Sequence, residues 1–203
     1  MSAVNGVEPL REVASLRRLT ASDVLAVARL QSGLLQNSAI TQLGVGFLVR
    51  FYRVALAAGC EAFVACDADG RVIGAALATE DIARFNAYVT PRIALRLLAS
   101  LSRRWALAFR FLRGCFERKP SRHVAAELLL LFVDGSRQRG GTGKRLVQAV
   151  EDAFARRGVI EYRVSLRSEI RGAQAFYAAI GFQYDDELIV LGRPMTYLKK
   201  QIR

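Results

Sequence analysis

The spacing of apolar residues changes along the chain, and each spacing predicts an element. "VASLRRLT" (13–20) reads as a first strand. Val24, Val27, Leu30 and Leu34 then recur at helical steps over 23–35, with Thr20 or Ser22 placed to cap. Leu43, Phe47, Val49, Tyr52 and Leu56 predict a second helix over about 42–57. Of its aromatic residues, Phe47, Phe51 and Tyr52 either fill the core or, if exposed, line a cleft. "EAFVAC" (61–66) and "RVIGAALATE" (71–80) flank Asp69-Gly70, the turn of a hairpin. A fourth strand spans 123–134; its run 128–133 is apolar on both faces, as in a central strand, and Glu127 stands out at its start. Leu146, Val150, Ala153 and Phe154 mark the buried face of a helix over 140–156. A β-like segment (159–166), a short helix (172–180) and strands near 182–190 and 195–200, joined by Gly192-Arg193-Pro194, complete the pattern. The class is α/β (α+β), with residues 1–203 forming one domain behind a loose stretch at 1–12.

About 40 residues, 82–122, separate the third and fourth strands. Pro91 suits a helix start, and residues 92–113 follow without proline or glycine. On a helical wheel Ala94, Leu98, Leu101, Trp105, Ala108, Phe109, Leu112 and Phe116 share one sector, opposite Arg92, Arg96, Arg103 and Arg110. Gly114 ends the segment. Three readings stay open for 91–116: a stripe packed on the domain, a lid or homodimer surface with arginines toward an anionic substrate, or a helix in a membrane interface.

The chemistry concentrates in "VDGSRQRGGTGKRL" (133–146), which runs from strand through glycine-rich turn into helix. Gly140, Gly141 and Gly143 let backbone N–H groups approach a ligand, and the helix start offers unpaired donors and a positive dipole end. Such an end suits a phosphate or pyrophosphate. It is not a Walker loop: Gln138 stands where the first glycine belongs, and Arg145 replaces the hydroxyl residue that would hold magnesium. A dinucleotide fingerprint fails at Leu146.

Gln138-Arg139-Gly140-Gly141-Thr142-Gly143 resembles the Gln/Arg-x-x-Gly-x-Gly/Ala signature of the GNAT family of N-acetyltransferases. Ala173, Tyr177, Gly181 and Phe182 resemble, at the same spacing, that family's second signature, although Ile170 stands where it has asparagine. The resemblance covers about 14–80 and 124–200. It implies a mixed, mostly antiparallel sheet of about seven strands flanked by helices, with 82–122 as a helical insertion between strands three and four. It also implies acetyl-CoA as co-substrate and no metal. Arg137, Gln138, Arg139, Gly140, Gly141, Thr142, Gly143 and Lys144 would surround its pyrophosphate. Phe132 and Val133 would pair with its pantetheine arm. Ala173 and Tyr177 complete the cofactor set, and the loss of asparagine at 170 removes an amide that could contact it.

Acetyl transfer to an amine sets three tasks. An alkylamine (pKa near ~10.4) must lose a proton, an oxyanion must be held, and a thiolate must be protonated. By resemblance, Glu127 is the base, directly or through water, with Glu169 and Asp134 as weaker candidates. A main-chain N–H where strand four splays from strand five, placed about Val133, holds the oxyanion. Tyr177 is the general acid.

Composition narrows the partners. Of 203 residues 52% are hydrophobic, ample for a core. Cys60, Cys66 and Cys115 are an odd set without metal-ligand spacing, and His123 is the sole histidine, so a disulfide framework and a histidine-rich metal site are excluded. The formal charge of +12 favours polyanions without choosing among them. No signal-peptide core or membrane-spanning run is present, which predicts a cytoplasmic protein, at most peripheral at the inner face of the membrane. The expected activity is acetylation of a small amine, anionic and amino-sugar-like, in a ternary complex. The alternatives are acetylation of protein N-termini or lysines, or a non-catalytic module that uses 91–116 on membranes or partners. No specific nucleic-acid contact is expected, since no reading motif accompanies the arginines.

Overall fold

The computed structural model describes residues 15–36, 38, 40–101, 124–137, 140–190 and 192–202. Seven strands form one sheet: β1 (Ser15–Arg18), β2 (Glu61–Cys66), β3 (Val72–Thr79), β4 (Ala126–Val133), β5 (Glu161–Arg167), β6 (Gln183–Val190) and β7 (Arg193–Gln201). Their order is β1-β2-β3-β4-β5-β7-β6. Only β4 and β5 are parallel; every other neighbouring pair is antiparallel. The helices among the described residues are α1 (Val24–Leu34), α2 (Val45–Ala57), α3 (Ile82–Leu101), α4 (Thr142–Arg156) and α5 (Arg171–Ala179).

Alternation along the strands builds two cores. Ala62, Val64 and Cys66 of β2 join Val27, Leu48, Phe51 and Phe85 from α1, α2 and α3. Phe63 and Ala65 point the other way and join Leu146, Val150 and Phe154 of α4 with Tyr177 of α5. Phe51 and Tyr52 are therefore core residues, whereas Phe47 is only partly buried. The helix expected at 42–57 is broken at its start: a 3-10 turn, Thr41–Leu43, ends at Gly44 with φ +92, and α2 begins there. A buried polar chain ties α1 to α2. The Tyr52 hydroxyl donates to Gln31 Oε1 at 2.5 Å, and the Gln31 amide donates to Thr41 Oγ1 at 3.3 Å. Glu61, 1% exposed, lies between Arg18 at 3.0 Å and Arg157 at 2.7 Å, so that β1, β2 and the end of α4 share one buried charge.

The insertion differs from expectation. Helix α3 starts at Ile82, and Pro91 lies inside it. Asp81 makes the early start: its Oδ1 accepts the N–H groups of Ala83 and Arg84 at 2.8 and 3.0 Å. Pro91 removes a donor to the Ala87 carbonyl, but both residues are exposed and water can replace the bond. Phe85, Val89 and Ile93 recur at every fourth residue, are buried, and place α3 in the core beside α2. Phe85 meets Phe51 edge to face at 6.4 Å, and Arg92 stacks on Tyr88 at 3.6 Å. The first turns of the segment thus pack on the domain. The side chains of Ala94, Leu98 and Leu101, the residues Trp105, Ala108, Phe109, Leu112 and Phe116, and His123 lie outside what is described. No helix of the described residues is long and apolar enough to cross a membrane.

Neither Thr20 nor Ser22 makes a side-chain cap on α1, whose N-cap position is Asp23. The Asp23 carboxylate instead accepts two bonds from Arg17, at 2.6 and 2.8 Å, and the N–H and hydroxyl of Thr20 at 2.9 and 2.7 Å. The Arg17 guanidinium, bonded to it, holds its carboxyl well below the usual carboxylate range, with the Thr20 bonds adding to the effect. A carboxyl depressed in the folded state stabilises the fold above its unfolded pKa of about 3.9, and that contribution is lost as pH falls below it. Asp23→Asn should therefore lower stability at pH 7 and flatten its acid dependence below about pH 4. Urea titrations from pH 7 to 3 check this; a parallel downward shift at all pH values would refute it.

Candidate functional site

β4 and β5 stay paired for three residues only. Ala126, Glu127 and Leu128 face Tyr162, Arg163 and Val164, and there the ladder ends although both strands continue. The β3 side shows why: Leu77 pairs with Leu130 but Ala78 with Leu128, leaving Leu129 as an extra residue on β4. Such a bulge bends its strand and increases the local twist. Residues 129–133 therefore run beside β5 without pairing to it, and a wedge opens between the strands. The splay begins at residues 128–129, well before the place near Val133 expected from sequence.

The far end of the wedge meets the glycine-rich turn. Gly141 has φ +77, a conformation that residues with a Cβ rarely adopt. It occupies the N-cap of α4 with no side-chain cap bond, and the first turn holds no acidic residue. The ladder of α4 starts with Arg145 N–H donating to Gly141 at 3.0 Å, so the preceding N–H groups point out of the helix end. Thr142 is buried; Gly140, Gly141 and Lys144 are exposed. Gly143 is needed for space: a Cβ there would lie 3.3 Å from the Phe176 ring and 3.9 Å from Val133. Turn, β4 end and α5 thus converge at Gly143, with the partly buried Val133 beside it, while Phe132 is buried in the core on the other face of the sheet. Arg137 closes a 3-10 turn after β4, whereas its side chain, Gln138 and Arg139 lie outside what is described.

Tyr177 is buried on α5 between Phe176 and Phe182, edge to face at 5.2 and 5.1 Å. Burial pushes its hydroxyl above the ordinary tyrosine value, so it stays protonated at neutral pH. Ala173 is partly buried on the same helix, and Ile170 is exposed at its N-cap.

Glu127 is 7% exposed. Its neighbours Ala126 and Leu128 belong to the α4 side, so it projects from the opposite face of the sheet. Arg163 Nε donates to its Oε2 at 2.9 Å, and Ser165 Oγ donates to its Oε1 at 3.1 Å. The Arg163 guanidinium lies 5.3 Å from the Tyr197 ring centre. Glu169 is exposed and pairs with Arg167, and Asp134 accepts both the N–H and hydroxyl of Ser136 in its own turn. Of the three carboxylates, Glu127 alone stands at the splay. A groove of about 770 Å³ lies elsewhere, lined by Gln148, Glu151, Lys199 and Lys200, and none of these groups borders it.

Residues 114–193 match the family model of the acetyltransferase (GNAT) domain, a span that includes the whole of β4, the glycine turn and α5. The chain has the GNAT acetyltransferase fold. YncA of Salmonella typhimurium, solved with its cofactor acetyl-CoA, superposes at TM-score 0.60 and 14% identity over 93% of this chain and 94% of that one. A phosphinothricin acetyltransferase from Sinorhizobium meliloti, in complex with AcCoA, gives 0.60 and 15% over 94% and 89%. Naa20 of Chaetomium thermophilum, in complex with a bisubstrate analogue, gives 0.58 and 15% over 93% and 87%. At such identities the likeness is one of fold. No curated protein matches the chain in sequence.

Within this GNAT fold, Arg163 and Ser165 are the residues that sequence reasoning missed. One signal was present. In "EYRVSLR" Tyr162, Val164 and Leu166 alternate with Arg163, Ser165 and Arg167, which sets the polar residues on one face. The register that seats that face against Glu127 is not written in either strand alone.

The glycine requirements differ and can be separated. Gly143→Val should cost about 1–3 kcal/mol through crowding against Phe176. Gly172→Ala, with nothing near its Cβ, should be neutral or stabilising by up to ~1 kcal/mol. Urea unfolding of both variants tests the assignment, and equal effects would contradict it.

Proposed function

We propose that the chain is an acetyl-CoA-dependent N-acetyltransferase that acts on a small, anionic amine by direct transfer in a ternary complex. The observation that carries this reading is the release of β4 from β5 beside a helix N-terminus led by Gly141 without a side-chain cap. That arrangement offers main-chain groups to a pantetheine arm and N–H donors to a pyrophosphate. When bound, acetyl-CoA supplies a thioester carbonyl carbon, to which the amine nitrogen bonds as the C–S bond breaks.

Gly140, Gly141, Thr142 and Gly143 bind the pyrophosphate through main-chain donors, and Lys144 adds positive charge at the exposed rim. Phe132 and Val133 align the arm along the wedge. The amine proton goes to Glu127, through a water where the path is long. A carboxylate has about four acceptor positions, and Arg163 and Ser165 take two of them. Tyr177 donates to the departing sulfur. A phenol above its ordinary pKa is a weaker acid than a thiol of about 8.5, so it stabilises the thiolate first as a hydrogen-bond donor. The proton balance closes with the amide, a free thiol and one proton released by the ammonium.

Calorimetric titration of acetyl-CoA should give micromolar binding, abolished by Gly141→Asp, which puts a negative charge and a strained backbone at the phosphate end. No binding to the unmodified protein would remove the reading. Tyr177→Phe should lower turnover, followed as free thiol, by about 10²-fold with little change in acetyl-CoA affinity. Unaltered turnover would remove Tyr177 from the mechanism.

A further inference from the structure

Arg163 is 7% exposed, yet only its Nε is engaged, by Glu127. Among the described residues no group accepts from its Nη1 or Nη2. A guanidinium has five N–H donors in one plane, so four remain, two of them on the outer Nη1–Nη2 edge. Neither Nη atom is among the buried side-chain atoms that lack a partner, so this edge opens to solvent and an anion entering the wedge can reach it. The residue stands at the register pair next to the end of the β4–β5 ladder, at the closed end of the wedge. The Tyr197 ring at 5.3 Å and the bond to Glu127 fix the plane of its guanidinium.

The Nη1–Nη2 edge presents two parallel N–H groups, a shape that matches a carboxylate bidentately. Glu127, bonded to the same guanidinium at 2.9 Å, has acceptor positions left for an ammonium. A fixed positive and negative group this close complement a ligand with the reverse pair on adjacent atoms. A plain alkylamine would satisfy Glu127 and leave the Nη edge empty. A peptide N-terminus would set an uncharged amide oxygen there. We infer that the acceptor is an amine with a carboxylate on the adjacent carbon, of the free α-amino acid class, and that Arg163 determines this specificity. An anion on the Nη edge offsets the guanidinium charge, which leaves more of the Glu127 charge to the incoming ammonium. The inference rests on the acetyltransferase reading for its chemistry, but binding of the acceptor tests it without turnover.

The probes are pairs that differ only in the carboxylate: L-phenylalanine with phenethylamine, L-leucine with isoamylamine and L-serine with ethanolamine. Each is titrated calorimetrically into the protein, alone and with coenzyme A present, and each is assayed by thiol release with acetyl-CoA. The expected result is that at least one amino acid binds and reacts better than its decarboxylated partner by about 10- to 100-fold. Arg163→Met should bring that ratio close to one, and Arg163→Lys, which keeps a charge beside Glu127 but lacks the fork, should leave an intermediate ratio. Because the ratio is taken within one preparation, loss of folded protein cancels. Equal binding of both members of every pair, binding of neither, or a ratio unchanged in Arg163→Met would overturn the inference. Failure of acetyl-CoA itself to bind would instead count against the proposed reaction, while an Arg163-dependent amino-acid preference in the titrations would still support this site.

Discussion

The constraint on which the rest depends is the short life of the one parallel pair in the sheet. β4 and β5 share three register positions and then part, where Leu129 is an extra residue against β3. A parallel pair held to the end of both strands would close the sheet and leave no wedge. The bulge supplies the bend, and the close approach of β3 keeps it in place: a Cβ on Gly74 would lie 3.0 Å from the Phe132 carbonyl oxygen. The apolar faces of α4 and α5 then cover one side of the opening, and Gly143 brings their ends together over Val133.

Charge is arranged by burial as much as by sign. The glycine turn is positive at the surface, with Lys144 in water, and suits a ligand that remains partly solvated. Glu127 and Arg163 are the opposite case, a pair withdrawn from water at the other end of the wedge. A buried pair stabilises a fold weakly once desolvation is counted, because two hydration shells are given up for one contact. The pair stands beside the splay, with the outer edge of the guanidinium open to solvent. Tyr177 shows a third treatment: edge-to-face contacts with Phe176 and Phe182 exclude water and keep the hydroxyl neutral.

Much of this was legible in the chain. The glycine turn could be read because left-handed backbone and close approach admit few residue types, and Gly141 and Gly143 meet those two demands separately. Tyr177 and Phe182 could be read from their spacing, which is fixed by one helix and the turn after it. The start of α3 was misread because Pro91 is a strong local signal, whereas Asp81 acts through a cap that depends on where the chain leaves β3. The partner of Glu127 was not legible, since Arg163 comes from a strand 36 residues away.

The sequence by itself determined the alternation of elements, the two-sided sheet and the chemistry of the helix start. These follow from periodicity and backbone preference, which act over a few neighbouring residues. Tertiary structure alone decided where β4 leaves β5, which carboxylate stands at that point and which cation faces it. Those outcomes depend on register between distant strands, and register is set by the packing of both faces together rather than by any one segment.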